Sequence, residues 1–201
     1  LPQSTINRLP IRTTFDNRYF SDRYQGIPIF GYRLLIHKLL DGIEVKTGID
    51  FNENRDFWTN KANRIVYTGM ADELADYCYG ELEYRSLDFV IERKEQNDWQ
   101  GTAVINETSS NVPYTRTIEH KHFDKQCTTQ HTIITFEYPM KWKRGQEAYY
   151  PINDDTNNCR YQNYADLIRK RYPTLTLGGR LGKYKYYDMD DAIEAALDVK
   201  L

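Results

Sequence analysis

Apolar and polar positions change their rhythm several times along the chain. Residues 1–31 have little periodicity and are interrupted by Pro2, Pro10, Gly26, Pro28 and Gly31, which predicts an irregular segment. Residues 32–41 place Leu35 with Leu39 and Ile36 with Leu40 at i, i+4 spacing, the mark of a helix, and Gly42 ends it. Ile43 to Thr47 alternates and reads as a strand, with Ile49 and Phe51 as its extension. The polar run from Asn52 to Asn63 reads as a loop. Arg64 to Gly69 reads as a strand closed by a turn, and Asp72 to Tyr79 as a short helix or turn stopped by Gly80.

From residue 81 to about residue 138 the alternation lengthens. LEYRSLDFVIERKE, WQGTAVINET, VPYTRTIEHKHF and HTIITFEYP are strand-like and separated by turn residues, which predicts an antiparallel sheet arranged as a meander. Residues 139–160 read as loop around an aromatic island at Ala148–Ile152. Tyr161 to Tyr172 is helical and bounded by Pro173. Leu175–Leu177 is a short apolar strand, Gly178-Gly179-Arg180 a turn, and Asp188 opens a helix whose face carries Ile193, Ala196 and Leu197. The class is α+β. An antiparallel sheet domain at 81–150 is set into an α/β layer of nucleotide-binding type, formed by 32–80 and 151–201, after the irregular segment 1–31.

Composition narrows the function. A net charge of −2 removes the electrostatic case for nucleic acid. The 17 tyrosines offer apolar faces with polar tips, suited to sugars and bases as well as to a core. Cys78, Cys127 and Cys159 form neither a CxxC pair nor a disulfide framework, which points to a reducing, cytoplasmic setting. No run reaches transmembrane length. The chain starts at Leu1 without a Met and stops within a helical pattern, so a fragment of a longer protein is expected.

Candidate chemistry reduces to a few residues. His120 and His122, read as i, i+2 on a strand beside Glu119, lack a third ligand of matching spacing and flank Lys121, so no metal is assigned. GxSxG, GxGxxG and GxxxxGK[ST] are all absent. What remains is arginine, tyrosine and asparagine. Arg116 starts a strand after Pro113, and Asn106 lies on the strand before it, so a hairpin turning near Ser109-Ser110 would bring the two together. Guanidinium, phenol and amide without a base or nucleophile suit a nucleotide-sugar site. The same residues also fit an ordinary sheet surface.

The sequence resembles the bacterial UDP-galactopyranose mutase family. The resemblance rests on 7-NRLPIRTTFDNRYF-20, 25-QGIPIFGY-32, 65-IVYTG-69, 81-ELEYRSLDF-89, 103-AVIN-106, 112-VPYTRTIEHKHF-123, 149-YYPIN-153 and 178-GGRLGKYKYYDMD-190, in order along the chain. Phe30 departs from the family pattern, which favours Gly before the Gly-Tyr pair. The family's FAD-binding glycine motif, catalytic-site histidines, helical domain and most of its mobile lid have no counterpart here. The match covers the second half of such a protein.

The resemblance implies an isomerase that interconverts UDP-galactopyranose and UDP-galactofuranose for galactofuranose-containing glycans. Reduced FAD attacks the anomeric carbon through N5 and displaces UDP, and the flavin–sugar adduct opens and recloses as the five-membered ring. It implies Arg8 and Arg116 as the cations facing the diphosphate, Tyr19, Tyr150 and Tyr186 as its hydrogen-bond donors, and Asn106 on the sugar. Arg85 is a further substrate residue. It places Gly179, Arg180, Asp188 and Met189, with Tyr186 shared, along the flavin, and Phe51 near the adenine. The implied partners are UDP-galactose and the missing N-terminal half, with a homodimer left open. The competing class is a stand-alone module that binds a nucleotide sugar or a protein without catalysis. Because the glycine-rich pyrophosphate turn is missing, the isolated chain is expected to hold FAD weakly or not at all and to show no mutase activity. Stoichiometric flavin in the purified 201-residue chain would overturn this.

Overall fold

The computed structural model describes residues 13–15, 22–124 and 126–199. Contacts divide the chain into two compact units, Leu1–Val45 and Lys46–Leu201. The first contains helix α1 (Gly31–Leu39). Gly31 enters it at φ +76° and Gly42 follows it at φ +75°, both left-handed positions that glycine takes without strain. His37 and Lys38 in its last turn suit the negative end of the helix dipole. Its apolar side chains Leu34, Leu35, Ile36 and Leu39 are all exposed, from 37% to 53%. Residues 43–47, expected as a strand, are not one. The alternation is there, but a strand exists only where a neighbour completes its ladder, and no described segment pairs with it.

In the second unit the expected loop after Phe51 is instead a 3₁₀ turn (Phe51–Asn54) running into α2 (Arg55–Lys61). One local bond and two remote ones build it. Asp50 accepts from the Asn52 N–H at 2.8 Å, and Arg55 ties its start to Asp76 at 2.8 Å and to the Glu73 carbonyl at 3.1 Å. Strand β1 (Ile65–Tyr67) pairs in parallel with a strand from the far end of the chain, Leu175–Leu177. Helix α3 (Ala71–Leu74) follows β1.

The antiparallel sheet is built from β2 (Tyr84–Lys94), β3 (Val104–Asn106), β4 (Arg116–Glu119), β5 (Thr132–Lys141) and β6 (Tyr150–Pro151). Its order is β3-β4-β5-β2-β6. The expected meander is therefore wrong at its start. β2 does not pair with β3 but lies along all of β5, from Arg85 opposite Lys141 to Lys94 opposite Thr132. Two long strands bury more backbone and side chain together than either would beside the short β3. The histidine segment after β4 is also not strand but a 3₁₀ turn, His120–Phe123.

Helix α4 (Asp155–Arg171) starts earlier than expected because Asp154 caps it, accepting from the Asn157 N–H at 2.8 Å. The Leu175–Leu177 strand, β7, leads into a one-turn helix α5 (Gly179–Gly182), and α6 (Met189–Leu197) follows. Gly182 has to be glycine, since a Cβ there would lie 2.7 Å from the Tyr67 carbonyl oxygen.

One core joins these elements: Tyr67, Leu74, Leu82, Tyr84, Tyr164, Ile168 and Tyr184. Several of the tyrosines are structural, with rings in the core and phenols on backbone. Tyr164 donates to the Gly80 carbonyl at 2.7 Å and accepts from the Tyr79 N–H at 2.9 Å. The Tyr184 phenol lies between the carbonyls of Glu83 and Ile152, at 2.5 and 3.0 Å, and so pins β2 to β6. Burial pushes the phenols of Tyr67, Tyr161 and Tyr164 up to about 12. The unfolded chain loses these protons near the ordinary tyrosine value of about 10. Their contribution to stability is complete below that pH and is lost as pH rises through about 12. The urea midpoint of the chain should therefore fall between about pH 10 and pH 12. A flat midpoint over that range would contradict the burial of these phenols.

Candidate functional site

Register decides which side chains share a face. Asn106 is opposite Arg116, Arg116 opposite Glu137, and Glu137 opposite Phe89, so one row crosses four strands. Arg85 lies four positions from Phe89 on β2, hence on the same face, and is opposite Tyr150. The sequence-predicted residues Arg85, Asn106, Arg116 and Tyr150 are thus on one side of one sheet. The other side carries Tyr84, Ser86, Thr117, Glu119, Ile134 and Phe136, all buried.

Within the row the Arg116 Nε donates to Asn106 Oδ1 at 3.0 Å, as the hairpin spacing predicted. Its Nη1 lies 3.5 Å from Glu137 Oε2. Asn106 and Glu137 hold the guanidinium from two sides, yet its side chain stays 41% exposed and open to a ligand. Glu137 was not legible from sequence, where it was one polar position in an alternating strand. Its opposition to Arg116 exists only through the β4–β5 register.

A tyrosine corner adjoins this row. Phe89 meets the Tyr149 ring edge-on at 5.8 Å between centroids. Tyr150 and Tyr186 stack at 5.7 Å with planes only 16° apart. Tyr186 donates to Asp188 Oδ1 at 2.9 Å, and its phenol is raised by burial first and then by that carboxylate. Asp188 also caps α6 in a reciprocal box with Asp191. Met189, next along, is 62% exposed. Arg180 lies under both stacked rings, 4.7 Å from Tyr186 and 5.4 Å from Tyr150.

The remaining predicted residues lie toward β1. Gly179 takes φ +67°, and a Cβ there would lie 3.3 Å from Thr68 Cβ, so its bareness serves packing on the end of β1. Phe51 is half-buried, 5.5 Å from the Tyr67 ring. Arg8 and Tyr19 fall outside the described residues.

The histidines separate. His120 bonds Thr135 Oγ1 at 2.7 Å, whereas His122 Nε2 lies 3.2 Å from Asp98 and 3.4 Å from Glu119. The third donor that sequence spacing did not provide comes from Asp98, through the fold. Glu119 already accepts from the N–H groups of Trp99 and Gln100, at 3.1 and 2.8 Å, and so fastens the 97–103 loop to the sheet.

A family model described as UDP-galactopyranose mutase matches residues 1–186. The chain belongs to the UDP-galactopyranose mutase family. It is 35% identical to a probable UDP-galactopyranose mutase of Klebsiella pneumoniae, over 98% of this chain and 50% of that protein. It is 30% identical to the dTDP-fucopyranose mutase of Escherichia coli, over 98% of this chain and 54% of that protein. It is 32% identical to the UDP-galactopyranose mutase of Mycoplasma pneumoniae, over 96% and 52% respectively. The chain spans about half the length of the curated relatives it matches.

If Arg116 is kept for a ligand, its pairing with Glu137 should do little for the fold, because the guanidinium end of the pair is open to solvent and screened by it, although Glu137 is buried. A double-mutant cycle on Arg116→Gln and Glu137→Gln, read by urea denaturation, is expected to give a coupling below about 1 kcal/mol. A coupling above about 2 kcal/mol would make the pair a structural staple.

Proposed function

We propose that this chain supplies the diphosphate-binding face of a mutase that interconverts UDP-galactopyranose and UDP-galactofuranose. The observation that carries the reading is the row Asn106–Arg116–Glu137 on the sheet face that also carries Tyr150, which stacks on Tyr186. That face therefore presents a guanidinium already held in place and, further along it, a phenol pair. Displacing UDP from the anomeric carbon builds negative charge on the diphosphate. A cation oriented before that charge develops lowers the barrier without reorganising. Arg116 takes that role, with Arg8 as second cation, Arg85 on the same sheet face, and Tyr19 and Tyr150 donating to phosphate oxygens; Tyr186 joins them once its O–H turns from Asp188. Asn106 faces the sugar.

Part of a flavin site fits the other end of this unit. β1 and β7 run parallel, and Thr68-Gly69 and Gly178-Gly179 follow their carboxyl ends side by side, the place where α/β sheets receive nucleotides. Val66 and Thr176, opposite each other on this pair, are both exposed. Gly179, Asp188, Met189 and Phe51 would border the cofactor. Reduced FAD, when bound, supplies the nucleophile that the protein side chains do not. The layout is then an irregular segment (1–31), two parts of a flavin-binding layer (32–80 and 151–201) and a substrate sheet (81–150). The half of the relatives' length that this chain does not span would cover the exposed apolar side chains of α1 and complete that layer.

The likeness to a dTDP-fucopyranose mutase favours a second substrate for the same chemistry, since the diphosphate contacts serve either sugar nucleotide. Assaying the full-length enzyme with both furanose forms decides between them. In the same enzyme, Arg116→Ala should lower kcat by the equivalent of about 3 kcal/mol or more while leaving thermal stability near wild type. An unchanged kcat would remove Arg116 from the mechanism.

A further inference from the structure

Resting on the reading that this chain borders both a flavin and a nucleotide sugar, we infer that Tyr184 is a positioning residue that fixes the cofactor turn α5 against the substrate sheet. The first sign is in the backbone. The Lys185 N–H donates to the Arg180 carbonyl at 3.1 Å, and the Tyr184 N–H donates to the Leu181 carbonyl at 3.2 Å. These two bonds close α5 as a Schellman turn, with Tyr184 in the left-handed position at φ +47°. Glycine takes that position without strain, and tyrosine does not. A tyrosine held there at only 3% exposure is kept for what its side chain reaches.

That side chain crosses to the sheet. The phenol donates to the Glu83 carbonyl at 2.5 Å, lies 3.0 Å from the Ile152 carbonyl and accepts from the Ile152 N–H at 3.2 Å. Glu83 immediately precedes β2 and Ile152 immediately follows β6. Two residues from each of them stand Arg85 and Tyr150, paired on the substrate face. The Tyr184 ring meets Tyr84 edge-on at 5.3 Å and stacks on Tyr161 at 5.7 Å. Tyr161 in turn donates to the Gly182 carbonyl at 3.2 Å, so α5 is held from α4 as well as from the sheet. At its start α5 is fixed by Gly179, packed on Thr68 at the end of β1, where the flavin site is read. Arg180 also reaches the sheet, at the Tyr149 carbonyl, but it does so under Tyr150 and Tyr186 at the rim where ligands are met. Tyr184 makes the link from behind, inside the core. Two ligands held by separate elements react only when aligned, and a misplacement of about 1 Å costs roughly a hundredfold in rate. A buried bond between the two elements sets that alignment without adding to the affinity of either site.

The test uses the full-length flavin-loaded enzyme in two forms. Tyr184→Phe keeps the ring and removes the oxygen, and 4-aminophenylalanine placed at position 184 restores a donor. Flavin per chain is measured by absorbance, UDP affinity by calorimetry, and kcat and KM by turnover. Tyr184→Phe should lower kcat about tenfold or more, while KM and UDP affinity stay within about twofold and flavin per chain stays at the wild-type level. The 4-aminophenylalanine enzyme should recover kcat to within about threefold of wild type. A wild-type kcat in Tyr184→Phe, a loss of UDP affinity or flavin, or a failed recovery would overturn the inference. If Tyr184→Phe does not fold, the 4-aminophenylalanine enzyme decides alone by the same threshold. A crystal structure of Tyr184→Phe reads the link without turnover: α5 should shift relative to β6, and an unmoved turn would overturn the inference. The underlying flavin and substrate readings are tested separately, by whether the wild-type enzyme carries flavin and binds UDP.

Discussion

The pairing of β2 with β5 is the constraint on which the candidate site depends. Ten consecutive positions face each other from Arg85 with Lys141 to Lys94 with Thr132, and the side-chain period of two then leaves no freedom. A slip of one residue would turn Phe89 and Arg85 to the side that now holds Tyr84 and Ser86. A like slip of β4 on β5 would take Glu137 away from Arg116. Because β4 and β3 add to β5 and β6 adds to β2, this one ladder sets which of the arginines, tyrosines and amides meet. The opposite face explains why the register holds, since Tyr84, Ile134 and Phe136 are buried there and a slip would expose them.

Tyrosine does two kinds of work in this chain, and burial separates them. Tyr164 and Tyr184 put their rings into the core and spend their phenols on backbone carbonyls, so they join elements far apart in sequence. Tyr150 and Tyr186 lie at the rim, stacked over Arg180, where phenols can serve a ligand. The same residue type suits both because a phenol buried with a partner costs little, while its ring contributes large apolar area. A preference for tyrosine over phenylalanine thus follows from the number of strand ends and loops that need tying at this corner.

The two units differ in how far their own residues satisfy them. The Lys46–Leu201 unit has a core, paired strands and capped helices. Helix α1 in the other unit has the sequence of an amphipathic helix, and its apolar side chains remain exposed. Residues 43–47 have a strand's alternation without a ladder. Both segments keep their local pattern uncovered, in a chain that spans about half the length of its relatives.

Local pattern alone was enough for α1, β1, β2, β5, β7 and α6, each marked by periodicity and by a Gly, Pro or Asp at its boundary. It was also enough to expect Asn106 beside Arg116, because a hairpin with a nearby turn is a local object. It failed where the deciding contact was remote. The 55–61 helix depends on Arg55 reaching Asp76 and the Glu73 carbonyl. The pairing of β2 with β5 skips the two short strands between them. Asp98 meets Glu119 and His122 across a loop, and Glu137 becomes Arg116's partner only in register. Arg180 shows the division most clearly. Its residue type and its place after a glycine pair were plain in the sequence. Which groups its guanidinium would hold was decided by tertiary structure, because the carbonyls and rings it joins come from segments that only the folded sheet brings together.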